Sequence, residues 1–437
     1  MLNDTICAIS TSLKEGAISI IRISGDDSFN IIKEISDIKA IEPNTIKYGH
    51  IYDGDKMLDE VLVSFFKAPK TYTKEDLVEI NCHGGIYVTR LILNLLLSKG
   101  IRLAEPGEFS KRAYLNGRID LSKAESINDL IKANNEIQRK SAINGLVGGV
   151  ERLLTPLMNE IKDVISMIEV NIDYPEYDDV TIMSQEKVKP YILKWINDSK
   201  EMINKAERFR VVKDGLDTVI LGKPNVGKSS LLNALLEKEK AIVTDIEGTT
   251  RDLVEGKVNL ENISLNLIDT AGIRESNDVV EKIGIERSLD ALKNAELVIL
   301  VLDASRIDEE DKKLIELTKD KNRIIVYNKK DLNDSYEGIN ISCINNDIHE
   351  LVDFLNNKYK DDVKLVDEDI LNNERQISLM RQALNEFEEM NRKIDETELD
   401  VIEINLEEAY HYLCEILGKE YKEDLIDHMF RNFCLGK

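Results

Sequence analysis

The sequence predicts a multidomain α/β protein: an N-terminal α+β domain, an α-helical domain, and a phosphate-loop α/β domain inserted into the helical one. Three observations predict it. Short β-rich runs punctuated by Gly, Asn and Pro occupy the first stretch. A helical hydrophobic period takes over near residue 117 and returns after residue 365. Between these helical tracts, apolar strands alternate with helices, and the first strand leads into Gly222-Lys223-Pro224-Asn225-Val226-Gly227-Lys228-Ser229. The implied division is 1–116, 117–212, 213–364 and 365–437, the second and fourth segments being halves of one helical domain.

In the N-terminal segment the strand readings are Thr5–Ile9, Ala17–Ile23, Met57–Phe66 and Asp76–Ile80, with a helix over Ile86–Leu97. In the helical tracts Leu157, Ile161, Val164, Ile165 and Ile168 share a face, as do Leu121, Ile127, Leu130 and Ile131. Met380, Leu384, Phe387 and Ile394 form a third stripe, and Leu406, Tyr410, Leu413 and Leu417 a fourth; a bundle core explains all four. The inserted domain has strands at 218–221, 264–268, 297–302, 323–327 and 339–342.

A chain of 437 residues with 42% hydrophobic content has room for two or three cored domains. Its net charge of -24 repels nucleic acid on average, so RNA contact needs a local basic patch or a basic partner. Lys111, Arg112, Arg118 and Lys123 form one small cluster, most of which reads as a solvated charged face. Cys7, Cys82, Cys343, Cys414 and Cys434 are odd in number and scattered, and the five histidines are dispersed, which points away from a disulfide framework and from a zinc or His-based metal site. Met1–Ser10 lacks a basic leader and Leu91–Leu97 is too short to span a bilayer, so a reduced, soluble, cytoplasmic protein without membrane contact is expected.

Gly222–Ser229 fits G-x-x-x-x-G-K-[ST], a turn whose backbone N–H groups surround a di- or triphosphate. A buried strand, Thr218–Leu221, precedes it and a helix, Ser230–Leu236, follows, so a nucleotide is expected, with Lys228 on the outer phosphates and Ser229 on Mg²⁺. Asp269-Thr270-Ala271-Gly272 follows a strand and suits Mg²⁺ and the γ-phosphate. In Asn328-Lys329-Lys330-Asp331 the aspartate can accept from guanine N1–H and the amino group together, which adenine cannot supply. Gly248-Thr249-Thr250-Arg251-Asp252 suits a switch segment with Thr250 as a second Mg²⁺ ligand. The four motifs in this order predict a Ras-like P-loop GTPase domain. Ile273 stands where such enzymes carry a water-orienting glutamine, so another group must act; Glu281 is close enough, or is simply a solvated helix-start carboxylate. Asn225 is either a ligand for a monovalent cation or a turn-stabilising residue.

The stretches Glu79–Gly85 and Glu105–Leu121, with Phe433-Cys434-Leu435-Gly436-Lys437, closely resemble the MnmE (TrmE) family of tRNA-modifying GTPases, and the resemblance covers essentially the whole chain. It implies a tetrahydrofolate-binding N-terminal domain, a homodimer, and an FAD-containing MnmG-type partner. Together these install an aminomethyl or carboxymethylaminomethyl group on carbon 5 of the tRNA wobble uridine. The carbon donor is a 5-formyl- or 5,10-methylene-tetrahydrofolate. By the same resemblance Arg22, Glu79 and Arg118 contact folate with Lys437 nearby, and Asn225, Thr244, Ile246 and Thr249 ligate K⁺. Glu281 positions the hydrolytic water, and Cys434 is a candidate reactive thiol. GTP is expected against Asn225, Val226, Gly227, Lys228, Ser229 and Ser230, the segment Thr244, Asp245, Ile246, Glu247, Gly248, Thr249 and Thr250, then Asp269, Thr270, Ala271 and Gly272. Asn328, Lys329, Asp331, Ser342 and Cys343 complete the set around the base. Two departures stand out: Ser342-Cys343-Ile344 replaces Ser-Ala-Lys, and Lys74 replaces a common glycine. A regulatory GTPase that binds ribosomal RNA as an assembly factor is the alternative, and a folate-binding scaffold without turnover a third reading.

Overall fold

The N-terminal strands are β1 (Ile6–Ile9), β2 (Ile18–Ser24), β3 (Thr45–Asp53), β4 (Lys56–Phe66), β5 (Leu77–His83) and β6 (Arg102–Leu103). The helices among them are α1 (Ser28–Ile35), α2 (Ile86–Ser98) and α3 (Glu108–Leu115). These assignments come from a computed structural model, which describes residues 4–173, 184–238, 254–268, 292–293, 295–419, 430, 433 and 436. The strands form one sheet in the order β3-β4-β5-β2-β1-β6, antiparallel except for the β1–β6 pair. Alternation sends Ile21, Ile23, Val63, Phe65, Val78 and Ile80 to one face, where Ile31, Ile32 and Ile35 of α1 and Ile92, Leu95 and Leu96 of α2 cover them. The other face carries Arg22 and Glu79, together with Ile18, Ile46, Tyr48 and Leu62, which are 63%, 67%, 60% and 49% exposed. Strand β3 is absent from the sequence reading because Gly49 interrupts its pattern. The structure explains the glycine: a Cβ there would meet Ile38 Cγ1 at 2.5 Å.

The helices that follow are α4 (Leu121–Lys132), α5 (Glu136–Leu146), α6 (Gly149–Asp173) and α7 (Gln185–Asp214). Contacts divide the chain into two compact units, one of Met1–Ala133, Gly145–Ile196 and Ser378–Lys437, the other of Asn134–Asn144 and Asn197–Ile377.

The second unit holds β7 (Leu216–Leu221), α8 (Lys228–Lys238), β8 (Val254–Asn259), β9 (Ser264–Ile268), β10 (Leu297–Asp303), α9 (Glu309–Leu317), β11 (Arg323–Asn328), β12 (Ile339–Ile341) and α10 (His349–Val363). Its sheet runs β12-β11-β10-β7-β9-β8, parallel except for β8 at the edge. Leu297, Val298, Ile299, Leu300, Val301 and Leu302 are all 0% exposed, as an unbroken apolar run in a strand covered on both faces should be. The strand order reverses around β7, where an open α/β sheet offers its ligand crevice at the carboxyl end of the strands.

Helices α11 (Glu374–Lys393) and α12 (Leu399–Leu417) return the chain to the first unit. There α12 packs on α6. Trp195 of α7, fully buried, meets Phe387 of α11 at 5.7 Å between ring centroids and donates Nε1–H to Glu160 Oε2 at 3.2 Å. Helices from before and after the α/β insertion thus share one core. The stripe Leu157, Ile161, Val164, Ile165 and Ile168 is buried as expected; in the Leu121 stripe, Ile131 instead stays 42% exposed.

Candidate nucleotide site and an arginine-lined cleft

The phosphate loop leaves β7 and enters α8, so its N–H groups point out of a helix start. Its shape depends on backbone freedom at two glycines. Gly222 and Gly227 have φ of 154° and 100°; a Cβ on Gly222 would collide with Val301 O, and one on Gly227 with Asn328 Nδ2. Asn225 is left-handed too, at φ 61°, a conformation asparagine tolerates better than most residues. Lys228 Nζ donates to Gly222 O at 2.8 Å and to Lys223 O at 2.7 Å, and burial lowers its pKa. A half-buried ammonium held on two loop carbonyls suits a phosphate group.

Asn328, 4% exposed, joins the two sides of the site. Its Nδ2 donates to Val226 O at 2.8 Å, and its Oδ1 accepts from Cys343 N at 3.1 Å. Ser342 Oγ donates to Asp331 Oδ1 at 2.5 Å and orients that carboxylate. Lys329, at φ 69°, places Nζ 2.5 Å from Asp303 Oδ2. Burial raises the Asp303 pKa and the Lys329 and Ser305 donors more than reverse it, so the group lies below the usual carboxylate range. Burial pushes the Cys343 thiol up to about 11, so it stays protonated and inert at neutral pH.

The first unit holds a separate cleft of about 400 Å³ whose lining includes Phe66, Lys70, Tyr72, Leu77, Glu79 and Arg118. Arg22 and Glu79 face each other across β2 and β5, with Arg22 Nη2 2.8 Å from Glu79 Oε1. Tyr72 lies between two guanidiniums, Arg118 at 4.7 Å and Arg22 at 5.7 Å from its ring centroid. Arg22 Nη1 donates to Gly436 O at 3.2 Å, and Ser10 Oγ donates to the same carbonyl at 3.1 Å. Arg22, Glu79 and Arg118 are therefore brought together around Tyr72, and Gly436 reaches Arg22.

The basic cluster does not form as a patch. Arg112 is 2% exposed and bound to Asp4, Glu75 and Glu108, while Lys123 Nζ pairs with Asp120 at 2.8 Å and Glu151 at 3.3 Å. Lys74 takes φ 59°, the left-handed region that a glycine would favour, and its Nζ donates to Asn116 O at 2.9 Å and Gly117 O at 3.0 Å.

Two family models match: one described as the GTP-binding protein TrmE N-terminus over residues 5–118, and one as the MnmE helical domain over residues 121–434. The tRNA modification GTPase MnmE of Streptococcus thermophilus is 44% identical over 449 residues, covering 99% of this chain and 98% of that protein. Its namesake from Lactococcus lactis subsp. cremoris is 45% identical over 448 residues, with the same coverage. The chain belongs to the MnmE family of tRNA modification GTPases.

Among solved structures, the G domain of the Thermotoga maritima FeoB iron transporter matches at 24% identity and a TM-score of 0.24, over 35% of this chain and 98% of that one. The fold rests instead on the strand order above. Of the residues expected in an MnmE site, Thr244, Asp245, Ile246, Glu247, Gly248, Thr249, Thr250, Asp269, Thr270, Ala271, Gly272, Glu281, Cys434 and Lys437 lie outside the described residues. Sequence reasoning missed Tyr72, which sits in a loop with no periodic pattern, and Asp303, whose role appears only when β10 and β11 pair. It also missed Lys223, although Asp308-x-x-Asp311 was a readable helix-start signal beside it.

Proposed function

We propose that this MnmE-family chain is a K⁺-activated GTPase that works with a flavoprotein of the MnmG type. Together they install an aminomethyl or carboxymethylaminomethyl group at carbon 5 of the wobble uridine of tRNAs. The carbon comes from a tetrahydrofolate derivative, 5-formyl- or 5,10-methylene-tetrahydrofolate. The observation that carries this reading is the coexistence, in one chain, of the phosphate loop joined to the base loop through Asn328 and the Arg22–Glu79–Tyr72–Arg118 cleft.

The donor sets fit the groups. Half-buried Lys228 would meet the nucleotide phosphates and Asp331 the guanine edge, while Ser229, with Thr250, would hold Mg²⁺, the charge that neutralises the phosphates during transfer. Asn225, Thr244, Ile246 and Thr249 are the proposed K⁺ ligands, K⁺ supplying positive charge beside the phosphates. Glu281 orients water in place of the absent glutamine. In the other unit, Arg22 and Arg118 suit the folate glutamate, Glu79 the pterin edge, and Lys437 lies nearby. Folate supplies the one-carbon unit; these side chains bind and orient it. Cys434 remains a proposed reactive thiol.

The exposed Ile18, Ile46, Tyr48 and Leu62 supply an apolar sheet face that supports a homodimer through residues 1–116. We retain the division 1–116, 117–212, 213–364 and 365–437, and a cytoplasmic location; among the described residues no helix is long and apolar enough to cross a membrane. An rRNA-binding assembly factor needs a basic face, and burial of Arg112 speaks against the one on offer. Mass spectrometry of tRNA from cells lacking this protein tests the proposal. Unmodified carbon 5 at the wobble uridine, restored on complementation, is expected; intact modification without the protein refutes it.

A further inference from the structure

The second residue of the phosphate loop has a side chain tied to another element. Lys223 Nζ lies 2.6 Å from Asp308 Oδ2 and 2.7 Å from Asp311 Oδ2. Those two aspartates build the start of α9: Asp308 Oδ1 accepts from Glu310 N at 3.0 Å and from Asp311 N at 3.4 Å, and Asp311 Oδ2 accepts from Asp308 N at 3.0 Å. Asp311 is 0% exposed, and its Oδ1 has no hydrogen-bond partner among the described residues. A buried carboxylate in that state is costly unless a cation stands beside it, and Lys223 is that cation. The lysine is thus held more firmly than an ordinary surface ammonium, and it holds its own backbone with it.

The phosphate loop is gripped at both ends. Its far end is pinned by Asn328 on Val226 O, and its near end by Gly222 against β10 and by the Lys223 side chain on α9. The Lys223 carbonyl also receives Lys228 Nζ at 2.7 Å. We propose that Lys223 is a positioning residue for the nucleotide phosphates: bridged to Asp308 and Asp311, it holds the phosphate loop open in its binding shape before any ligand arrives. The proposal rests on the nucleotide-site reading above. Its physical content is preorganisation: a loop already ordered does not draw on ligand binding energy to become so. The effect is confined to the phosphates, because Lys223 touches neither Asp331 nor Ser342.

The test uses the full-length protein and compares GDP with GMP, which presents a single phosphate to the loop. Lys223→Met leaves two carboxylates together, one buried, and some of its effect falls on folding. Lys223→Met combined with Asp308→Asn and Asp311→Asn removes the surplus charge along with the tether. In this triple variant GDP affinity should fall about tenfold, as for loss of charge-assisted hydrogen bonds, while GMP affinity falls less than about threefold. Lys223→Arg should recover most of the GDP affinity. An unaltered GDP affinity overturns the proposal. So does an equal fall for GDP and GMP, which is what general softening of the fold produces. A wild-type protein that binds neither ligand overturns the nucleotide-site reading itself.

Discussion

Asn328 occupies the space that a side chain at Gly227 would need: its Nδ2 is held on Val226 O at 2.8 Å, in the path of a Cβ on that glycine. The base loop and the far end of the phosphate loop are therefore interlocked through one amide, so damage at Gly227 or Asn328 is felt on both sides, whereas Lys223 is held at the other end of the loop.

Gly227→Ala is expected to lower GDP affinity at least about 100-fold, through displacement of Asn328 and a φ of 100° that alanine resists. Calorimetry of Gly227→Ala, Asn328→Ala and the double variant checks it. The double variant should bind no worse than Gly227→Ala alone; losses that simply add would show that the two residues act independently.

If Asn225 ligates a cation as proposed, GTP turnover should be much faster in K⁺ than in Na⁺ at matched ionic strength, because Ile273 cannot orient water. Equal rates count against the cation site. Glu281→Ala should keep GTP binding and lose hydrolysis, at least about 100-fold in kcat. Undiminished single-turnover cleavage would reassign that role.

Arg118→Ala should weaken binding of a reduced folate by about tenfold, since it removes the guanidinium 4.7 Å from the Tyr72 ring and one side of the cleft. Tyr72→Leu should weaken it similarly while leaving GDP binding intact. Titration by fluorescence or calorimetry decides; unaltered folate affinity in both variants would move the folate site elsewhere.

The N-terminal unit should show an acid-labile charge cluster. Glu108, 4% exposed, accepts from Arg112 Nη2 at 3.1 Å, from Glu105 N at 2.8 Å and from Arg102. Burial pushes its pKa up, but these donors outweigh it and the folded value lies below the unfolded 4.5. A carboxyl depressed in this way contributes fully above its unfolded pKa, and the contribution disappears as pH falls through the folded value. Glu108→Gln should thus cost about 3 kcal/mol at neutral pH, with the gap to wild type narrowing as pH falls below the unfolded value of 4.5 and closing once it passes the depressed folded value. Urea unfolding across pH reads this directly, and a gap that stays constant into strong acid would contradict it.

The inserted α/β domain was the most legible part of the sequence because parallel strands buried on both faces leave unbroken apolar runs. The readings 264–268, 297–302 and 323–327 fall on β9, β10 and β11 nearly residue for residue. Edge strand β8, Val-Glu-Gly-Lys-Val-Asn, carries charge and a glycine where an inner strand would carry valine, and it left no such trace. In the first unit β3 was hidden by Gly49, and α1 and α3 by their eight-residue length. Phosphate and base motifs are local strings and could be read directly. The Lys223–Asp311 and Lys329–Asp303 pairs are products of strand order: a local string announces the Asp308–Asp311 helix start but not the lysine that meets it.

The carbonyl of Gly436 has a consequence for biosynthesis. It is bound by Arg22 and Ser10, residues translated 414 and 426 positions earlier. The N-terminal sheet emerges from the ribosome with its helices and its Arg22–Glu79 pair, able to condense while translation continues. The hydrogen bond between Arg22 and the Gly436 carbonyl does not yet exist. Vectorial synthesis therefore imposes an order, with the sheet and the cleft-lining residues early and the Gly436 tie last, and a truncated nascent chain would carry a folded first domain whose Arg22 lacked that carbonyl.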